Sequence, residues 1–577
     1  MSSWPPGLLL ILGGLLLPIL SRNARRAGLV LLPLISGLHL YWLVADGLPT
    51  PVELRCFDLE LILVRIDRLS LVWGTIFHIA ALLSAIYSWH ITDRVEQAAA
   101  PAYAGAAIAA VFAGDLMTLF VFWELTAVTS VFLVWASRTA SAFRAGMRYL
   151  IIQVASGVLL LAGIAWLVGE RGGTALAFDN LWDRFEQGTA GALPVTLIFL
   201  AFGIKAAFPL LHNWLQDAYP EATVTGTVWL SSFTTKLAIY ALARGFAGAD
   251  CLIWIGTVMT AFPIFYAVIE NDLRRVLAYS LNNQLGFMVV GIGIGTELAI
   301  NGTAAHAFSH ILYKGLLFMS VGAVLFRTGT AKGSDLGALY KSMPWTCVFC
   351  IVGAASISAF PLFSGFVTKS LIVEAAADNH YDIVFLVLLF ASAGVFHHSG
   401  IKIPYFAFFG HDSGHRVPEA PRNMLVAMGV TAVLCIGIGV CPGPLYRLLP
   451  YDIKLDPWHT YSLGHVITQL QLLIFSALAF TVLMRTGIYP PELRSVNLDT
   501  DWIYRRPIPA AIGVCRRRVA GGRDSLGRFA QTVAGKIRHH AHRLIGSGGL
   551  ISRTWSTAEM VFWVSVLLGI SLVLYYL

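Results

Sequence analysis

The chain is 577 residues long, 57% hydrophobic and only 12% charged, with a mean hydropathy of +0.71. A water-soluble protein of this length needs a much larger charged fraction to cover its surface, so aqueous solubility is excluded. The net charge of +8 is unevenly placed along the chain, and its placement bears on topology.

Apolar runs long enough to cross a hydrocarbon core of roughly 30 Å recur from end to end, which predicts an all-α integral membrane protein of about 14–16 transmembrane helices. The first run, Pro5 to Leu20, has no basic segment before it and no small-residue cleavage site after it, so it reads as a retained helix. Val52–Val64 has the alternation and β-branched content of a short extracytoplasmic hairpin. A dense apolar body runs from about Ala102 to Gly410, and two more spans follow. Composition shifts near Glu492. From there to Arg553 the chain is basic and interrupted, with Arg505, Arg506, Arg516, Arg517, Arg518, Arg528, Lys536, Arg538 and Arg543. This segment is tied between membrane spans and carries no recognition motif. It therefore fits an amphipathic stretch lying on anionic lipid or a partner subunit, and not a nucleic-acid binder. A last apolar run, Ala558–Leu577, closes the sequence.

Basic residues cluster in alternate loops: Arg22, Arg25 and Arg26; Arg138, Arg144 and Arg148; Arg274 and Arg275; Lys332 and Lys341; Arg416 and Arg422. Poorer loops around Thr50, Asp179 and Asp378 separate them. The positive-inside rule places the basic loops in the cytoplasm and both termini outside.

Within the body, Ala207-Phe208-Pro209-Leu210 recurs as Ala359-Phe360-Pro361-Leu362, each with a lysine close by, Lys205 and Lys369. Proline inside a span removes a hydrogen bond and clashes with the preceding turn. At membrane depth such a break persists only where protein or a wet cavity satisfies the freed groups. Matching broken spans in two halves of a chain point to a transport site between repeats.

The residues that carry chemistry are ionisable groups in mid-span. Glu124 lies in LFVFWELTAVTSVFLVW, Lys205 in VTLIFLAFGIKAAFPLL and Lys236 in VWLSSFTTKLAIYALA. His306, His310 and Lys314 follow at intervals of four and so share one helix face. Lys369 lies in FSGFVTKSLIV. Lys402 follows His397-His398 near a span end, where its head group can snorkel out. Each charge near the bilayer centre costs about 2.5–3.5 kcal/mol on insertion scales, so an array of them calls for a functional reason. Burial disfavours the charged form of an acid or a base, and an opposite charge nearby restores it. A Glu–Lys pair that separates and re-forms thus takes up and releases protons in turn, with histidine suited to relay between them. Other chemistry is poorly supported. There is no Walker A sequence, GIGIG at 291–295 lacks the context of a dinucleotide site, and Cys347 and Cys350 read as small core residues. His397-His398 lacks a second histidine pair for haem. No cofactor and no metal are expected.

At these residues the chain resembles the proton-conducting antiporter-like subunits, which include those of respiratory complex I and of Mrp-type cation/proton antiporters. The resemblance rests on DLMTLFVFWEL, GIKAAFPLLHNWLQDAYPEA, DLRRVLAYSLNNQLGFM, HAFSHILYKGLLFMSVG and FPLFSGFVTKSLI, in that order. IKIPYFAFFG and LDTDWIYRRP look like the D-type subunit of Mrp antiporters. The resemblance implies two inverted five-helix repeats, each with a broken helix, at 101–245 and 246–411. N-terminal helices (1–100), two further helices (412–490) and a basic segment with a final helix (491–577) flank them. It also implies Glu124 as the key glutamate, Lys205 and Lys369 as broken-helix lysines, and Lys236, His306, His310 and Lys314 as relay positions. Gly226 and Thr227 depart from the Pro-Val-Ser commonly seen there. The implied function is a non-enzymatic, proton-translocating subunit of a multi-subunit Na+/H+ antiporter. Its partners would be other membrane subunits, H+, Na+ and lipid, in a bacterial-type inner membrane. Complex I or hydrogenase-type pumps and proton-driven inorganic-carbon transporters are the alternatives. A self-sufficient carrier of an organic solute would need solute-specific polar groups where nearly every midplane group here titrates.

The charge pattern gives a first prediction. Cysteines substituted at Arg144, Arg275 and Lys341 should be labelled only from the cytoplasmic side by a membrane-impermeant thiol reagent. Labelling of position 341 from outside would overturn this orientation.

Overall fold

The computed structural model describes all residues except 1–3, 57–58, 173–175, 453–458, 491, 494–496, 547–548, 550–554 and 577. The expected hairpin forms from Val52–Cys56 paired antiparallel with Leu59–Val64. Apart from it, the described chain is helical or loop. Ten helices among the described residues are long and apolar enough to cross a membrane, from Arg22–Val44 to Thr557–Tyr576. The other expected crossings are short, broken or lined with polar residues. They are Leu8–Ile19, Arg94–Val111, Leu273–Ile294, and the helix pairs Ala192–Lys205 with Asn213–Ala218, Val224–Ser232 with Thr234–Gly245, and Pro344–Ile357 with Ser364–Asp378.

The chain falls into two compact units, Met1–Asn497 and Leu498–Leu577. In the second, the helix Pro507–Ile545 is 39 residues long, close to 58 Å at the α-helical rise. Its arginines are exposed, and so is an apolar stripe that includes Ile512, Val519, Leu526, Phe529 and Ile537.

In the first unit, hydrogen bonds between loops define two rims. Arg25 Nε donates to Gln97 Oε1 at 3.0 Å, Arg138 pairs with Asp93, and Arg148 forks onto Asp217 at 2.6 and 2.9 Å. Arg274 donates to Pro220 O and Ala222 O at 2.9 Å each, Arg327 Nε to Glu419 O at 2.9 Å, and Asn423 Nδ2 to Tyr87 O at 2.8 Å. The basic loops thus gather on one rim. At the other, Gly114 N donates to Ile62 O, Phe178 N to Gly114 O and Gly248 N to Ile292 O, each at 2.9 Å. Gly226 and Thr227 also find their reason here. A side chain at 226 would meet Leu133 O at 2.9 Å, and Thr227 Oγ1 accepts from Arg274 while donating to Tyr219 O.

The two matching sequence stretches fold alike. Ala207 and Leu210 have φ of 61° and 70°, and Ala359 and Leu362 have φ of 56° and 73°. Phe208 N donates to Gly203 O, and Phe360 N to Ala355 O, both at 3.0 Å. Left-handed conformations at non-glycine residues cost of order 1–3 kcal/mol each and cluster at functional sites. The interruption is therefore built into both copies.

Without a hydrophobic force between helices in lipid, close backbone approach stabilises the bundle. Helices Asp250–Ile269 and Leu273–Ile294 meet at Gly256 and Gly286, where a Cβ at 286 would lie 2.6 Å from Thr260 N and 2.7 Å from Gly256 O. Both obstacles are backbone. Gly286→Leu should therefore part these helices, costing about 1–3 kcal/mol or more. Thermal unfolding in detergent checks this, and an unchanged melting temperature would contradict it.

Candidate functional site: a buried array of lysines and histidines

Lys205 is the last residue of its half-helix, and the chain turns out of helical geometry two residues later. Its side chain is fully buried. Nζ donates to Trp123 O at 2.6 Å and Thr126 Oγ1 at 3.0 Å, and lies 4.3 Å from the centre of the Trp123 indole. Glu124 is the next residue on that helix, Leu116–Trp135, and is half-buried. Its carboxylate fills the space left by Gly157, where a Cβ would lie 1.5 Å from Oε1, and that oxygen has no hydrogen-bond partner. Among the described residues no ion pair joins Glu124 to Lys205. The expected pair is adjacent but apart.

Lys236 is also fully buried, and Nζ donates to Ser231 O at 2.6 Å. That carbonyl belongs to the last turn of Val224–Ser232, before a break at Phe233. The lysine is evident in the sequence but the break is not, because no proline marks it. The available signal was the polar cluster Ser231-Ser232-Phe233-Thr234-Thr235. Ser231 and Ser232 bond back to Val228 O at 2.9 and 3.0 Å, which competes with regular helix.

His306, His310 and Lys314 stack on one face of the helix Glu297–Thr328, all fully buried, with the two imidazoles 6.2 Å apart. His306 Nδ1 lies 3.3 Å from Thr368 Oγ1, and Nε2 lies 3.3 Å from Tyr313 OH, which itself donates to Gln284 Oε1 at 3.1 Å. Lys314 Nζ donates to Ser280 Oγ at 2.8 Å. Ser399 Oγ donates to the same Ser280 oxygen at 2.7 Å, and His398 Nδ1 lies 2.9 Å from Ser399 Oγ.

Lys369 is 2% exposed, and Nζ donates to Ile357 O at 3.0 Å, across the break to the last residue of the preceding half-helix. It is not the positional counterpart of Lys205. Lys205 precedes its break and Lys369 follows the other one.

Lys402 requires a correction. It does not snorkel into solvent: its side chain is 0% exposed. Nζ donates to Ala267 O at 3.2 Å, Val268 O at 2.6 Å and Glu270 O at 2.7 Å, and pairs with Glu492 at 2.9 Å. The helix carrying it is π-wound over Phe396–Lys402 and Tyr405–Phe409, which turns His398, Ser399 and Lys402 inward.

Three of the lysines thus sit on main-chain carbonyls at helix C-terminal ends, where the dipole and the unpaired oxygens both favour a cation. No hydrogen bond joins Lys205 to Lys236, or Lys236 to His310, among the described residues. Both amide atoms of Gln153 and of Asn282, both ring nitrogens of His310, Thr235 Oγ1, Ser309 Oγ and Ser364 Oγ are buried without a hydrogen-bond partner. Buried polar atoms of this kind hold ordered water in native proteins. Gln153, Ser280, Gln284, Tyr313 and Ser399 were not evident in the sequence, because neutral polar residues in a span give no signal by charge.

Comparison with known proteins agrees with this architecture. Residues 113–396 match the family described as NADH:quinone oxidoreductase/Mrp antiporter, transmembrane. The D subunit of the Na(+)/H(+) antiporter of Alkalihalophilus pseudofirmus is 32% identical over 364 residues, 60% of this chain and 72% of that protein. Hydrogenase-4 component B of Escherichia coli is 28% identical over 428 residues, 67% of this chain, and the chain spans only 63% of its length. For Na(+)/H(+) antiporter subunit A1 of Staphylococcus aureus the figures are 27% identity over 556 residues, 85% of this chain and 66% of the relative. In fold, the chain is similar to one from an archaeal membrane-bound sulfane sulfur reductase, with a TM-score of 0.73 at 23% identity, covering 98% of this chain and 100% of that one. It is also similar to a chain of the Mrp complex from Dietzia sp., with a TM-score of 0.69 at 21% identity, covering 82% and 99%. The chain is a multi-pass membrane protein that belongs to the NADH:quinone oxidoreductase/Mrp antiporter family.

Proposed function

We propose that this chain is the proton-translocating subunit of a multi-subunit monovalent cation/proton antiporter in a bacterial-type cell membrane, and that it catalyses no chemical conversion itself. The observation that carries the reading is the buried series Lys205, Lys236, His306, His310, Lys314, Lys369 and Lys402, none more than 2% exposed. Lys205, Lys236, Lys314 and Lys369 are held by carbonyl or hydroxyl oxygens, which accept from an ammonium without fixing it there as a buried carboxylate would, and among the described residues only Lys402 adds a carboxylate contact, to Glu492. Glu124 near Lys205 is the control element. Its approach stabilises the ammonium, and its withdrawal to the Gly157 niche favours release of the proton towards Lys236. Buried water near Thr235, Ser309 and His310 would bridge the remaining gaps. The two stretches 101–245 and 246–411, each with its broken helix, would form the inverted repeats between which the array runs. The basic rim faces the cytoplasm in this reading. The exposed helix Pro507–Ile545 serves neighbouring subunits and anionic lipid through its apolar stripe and its arginines.

A second reading, a proton-pumping subunit of a hydrogenase-type complex, is favoured by the likeness to hydrogenase-4 component B over 67% of the chain. It uses the same array and differs in what drives it. Proton movement driven by a sodium gradient supports the antiporter, and movement requiring an electron donor supports the pump.

Substitutions within the array test the reading directly. Glu124→Ala and Lys205→Ala should each lower coupled transport in vesicles by about tenfold or more in assembled complexes, and the double variant should be little worse, because the residues act as a unit. Normal transport by Glu124→Ala would refute the control element. Lys369→Ala should abolish coupled transport, whereas Lys369→Glu, which still titrates, should retain part of it. Normal transport by Lys369→Ala, with assembly verified separately, would take Lys369 out of the array.

A further inference from the structure

The hydrogen-bonded series from Lys314 does not stop at the array. Ser280 Oγ accepts from both Lys314 Nζ and Ser399 Oγ, and since Ser399 gives its hydrogen to Ser280, the 2.9 Å contact with His398 is an Nδ1–H donation. The other nitrogen of His398 is buried with no hydrogen-bond partner. One turn further on the same π-wound helix lies Lys402, held against Glu492 at 2.9 Å. Glu492 comes from the segment that follows the helix Leu463–Thr486 at the basic rim, and its side chain is 6% exposed. It also lines a cavity of about 330 Å³ at that rim, together with Gly333, Phe406, His411 and Tyr489. The neighbouring carboxylate of Glu270 is already engaged. It accepts from Asn271 N at 3.0 Å, Asp272 N at 3.1 Å and Asn497 Nδ2 at 3.2 Å, and faces Arg275 at 3.8 Å. Glu492 is therefore the carboxylate left to pair with Lys402.

We propose that Glu492 and Lys402 form a proton port between the basic face and the buried array, joined to Lys314 through His398, Ser399 and Ser280. The proposal rests on the array reading above and adds a side entrance to it. Glu492 takes a proton from the rim cavity and passes it to the neutral amine of Lys402, which leaves a carboxylate and an ammonium. Lys402 hands it to His398 Nε2 across one turn of helix. When Lys314 has lost its proton, Ser280 turns its hydroxyl towards the free amine. The His398 Nδ1 proton then moves to Ser399, the hydrogen of Ser399 to Ser280, and that of Ser280 to Lys314 Nζ. Each hydroxyl gains one hydrogen as it loses one, so one proton is transferred and no group is consumed. A pair that only braced the segment would need neither the serines nor the free histidine nitrogen.

The test uses the assembled complex in inverted vesicles and measures the rate of coupled proton movement. Glu492→Gln and Ser399→Ala should each slow it by about tenfold or more, while Ser399→Thr, which keeps the hydroxyl, should run within about twofold of wild type. Ser399→Ala leaves the Lys402–Glu492 pair intact, so it decides the matter even if Glu492→Gln fails to assemble. A wild-type rate with Ser399→Ala beside an inactive Lys205→Ala would overturn the port and leave the array standing. Equal loss in Ser399→Ala and Ser399→Thr would also overturn it, since the hydroxyl would then not be the carrier. A fully active Lys205→Ala would overturn the array and the port with it.

Discussion

A lysine ammonium at membrane depth needs oxygen acceptors, and the rest of this structure depends on how they are supplied. Carbonyls inside an uninterrupted helix are largely engaged by its own amides, and such helices hold Lys205 and Lys314 through Trp123 O, Thr126 Oγ1 and Ser280 Oγ. For Lys236, Lys369 and Lys402 the chain obtains them at helix ends. Ser231 O and Ile357 O lie at the ends of half-helices, and Ala267 O and Val268 O at the end of a full one. Each accepts from a buried lysine. The break that supplies Ile357 O is fixed by Pro361 with the left-handed Ala359 and Leu362, and the matching break after Lys205 by Pro209 with Ala207 and Leu210, whereas the one at Phe233 has no proline. The strain of the backbone and the burial of the charges are two sides of one arrangement.

Carbonyl and hydroxyl acceptors have a consequence for function. A carboxylate placed beside every lysine would hold each proton in place. Among the described residues, only two lysines of the array have a carboxylate near them. Glu124 is beside Lys205 but apart from it, and Glu492 is in contact with Lys402, at opposite ends of the array. Between those ends the partners are neutral: Ser280, Thr368, Tyr313, Gln284 and the imidazoles. Tyr313 has a single hydrogen to share between Gln284 and His306, a choice that can reverse as His306 gains or loses a proton.

Much of this was legible in the sequence. Composition and periodicity imply a helical membrane protein, and the repeated Ala-Phe-Pro-Leu marks both proline breaks, since proline is a local, chemically explicit signal. The spacing of His306, His310 and Lys314 places them on one face, where the structure has them. The break at Phe233 was not legible, because hydroxyl back-bonding by Ser231 and Ser232 leaves a weak trace in sequence. That Lys402 is held inside and does not snorkel was not legible, because its partner Glu492 lies 90 positions away and the π-winding of its helix depends on packing. The neutral relay residues were missed for a related reason. Ser280 and Ser399 are ordinary in a helix until a lysine and a histidine are brought against them in space.

The central claim is that protons cross this subunit through its buried lysines. It is tested most directly by reconstituting the purified complex in liposomes under an imposed pH gradient and following internal pH, with Lys236→Met as the variant. Lys236 donates to Ser231 O and has no carboxylate partner among the described residues, so its loss removes a carrier and strands no buried acid. The account predicts proton movement in the wild type that stops in the variant while the complex remains assembled. Proton movement at the wild-type rate through assembled Lys236→Met complexes would contradict it.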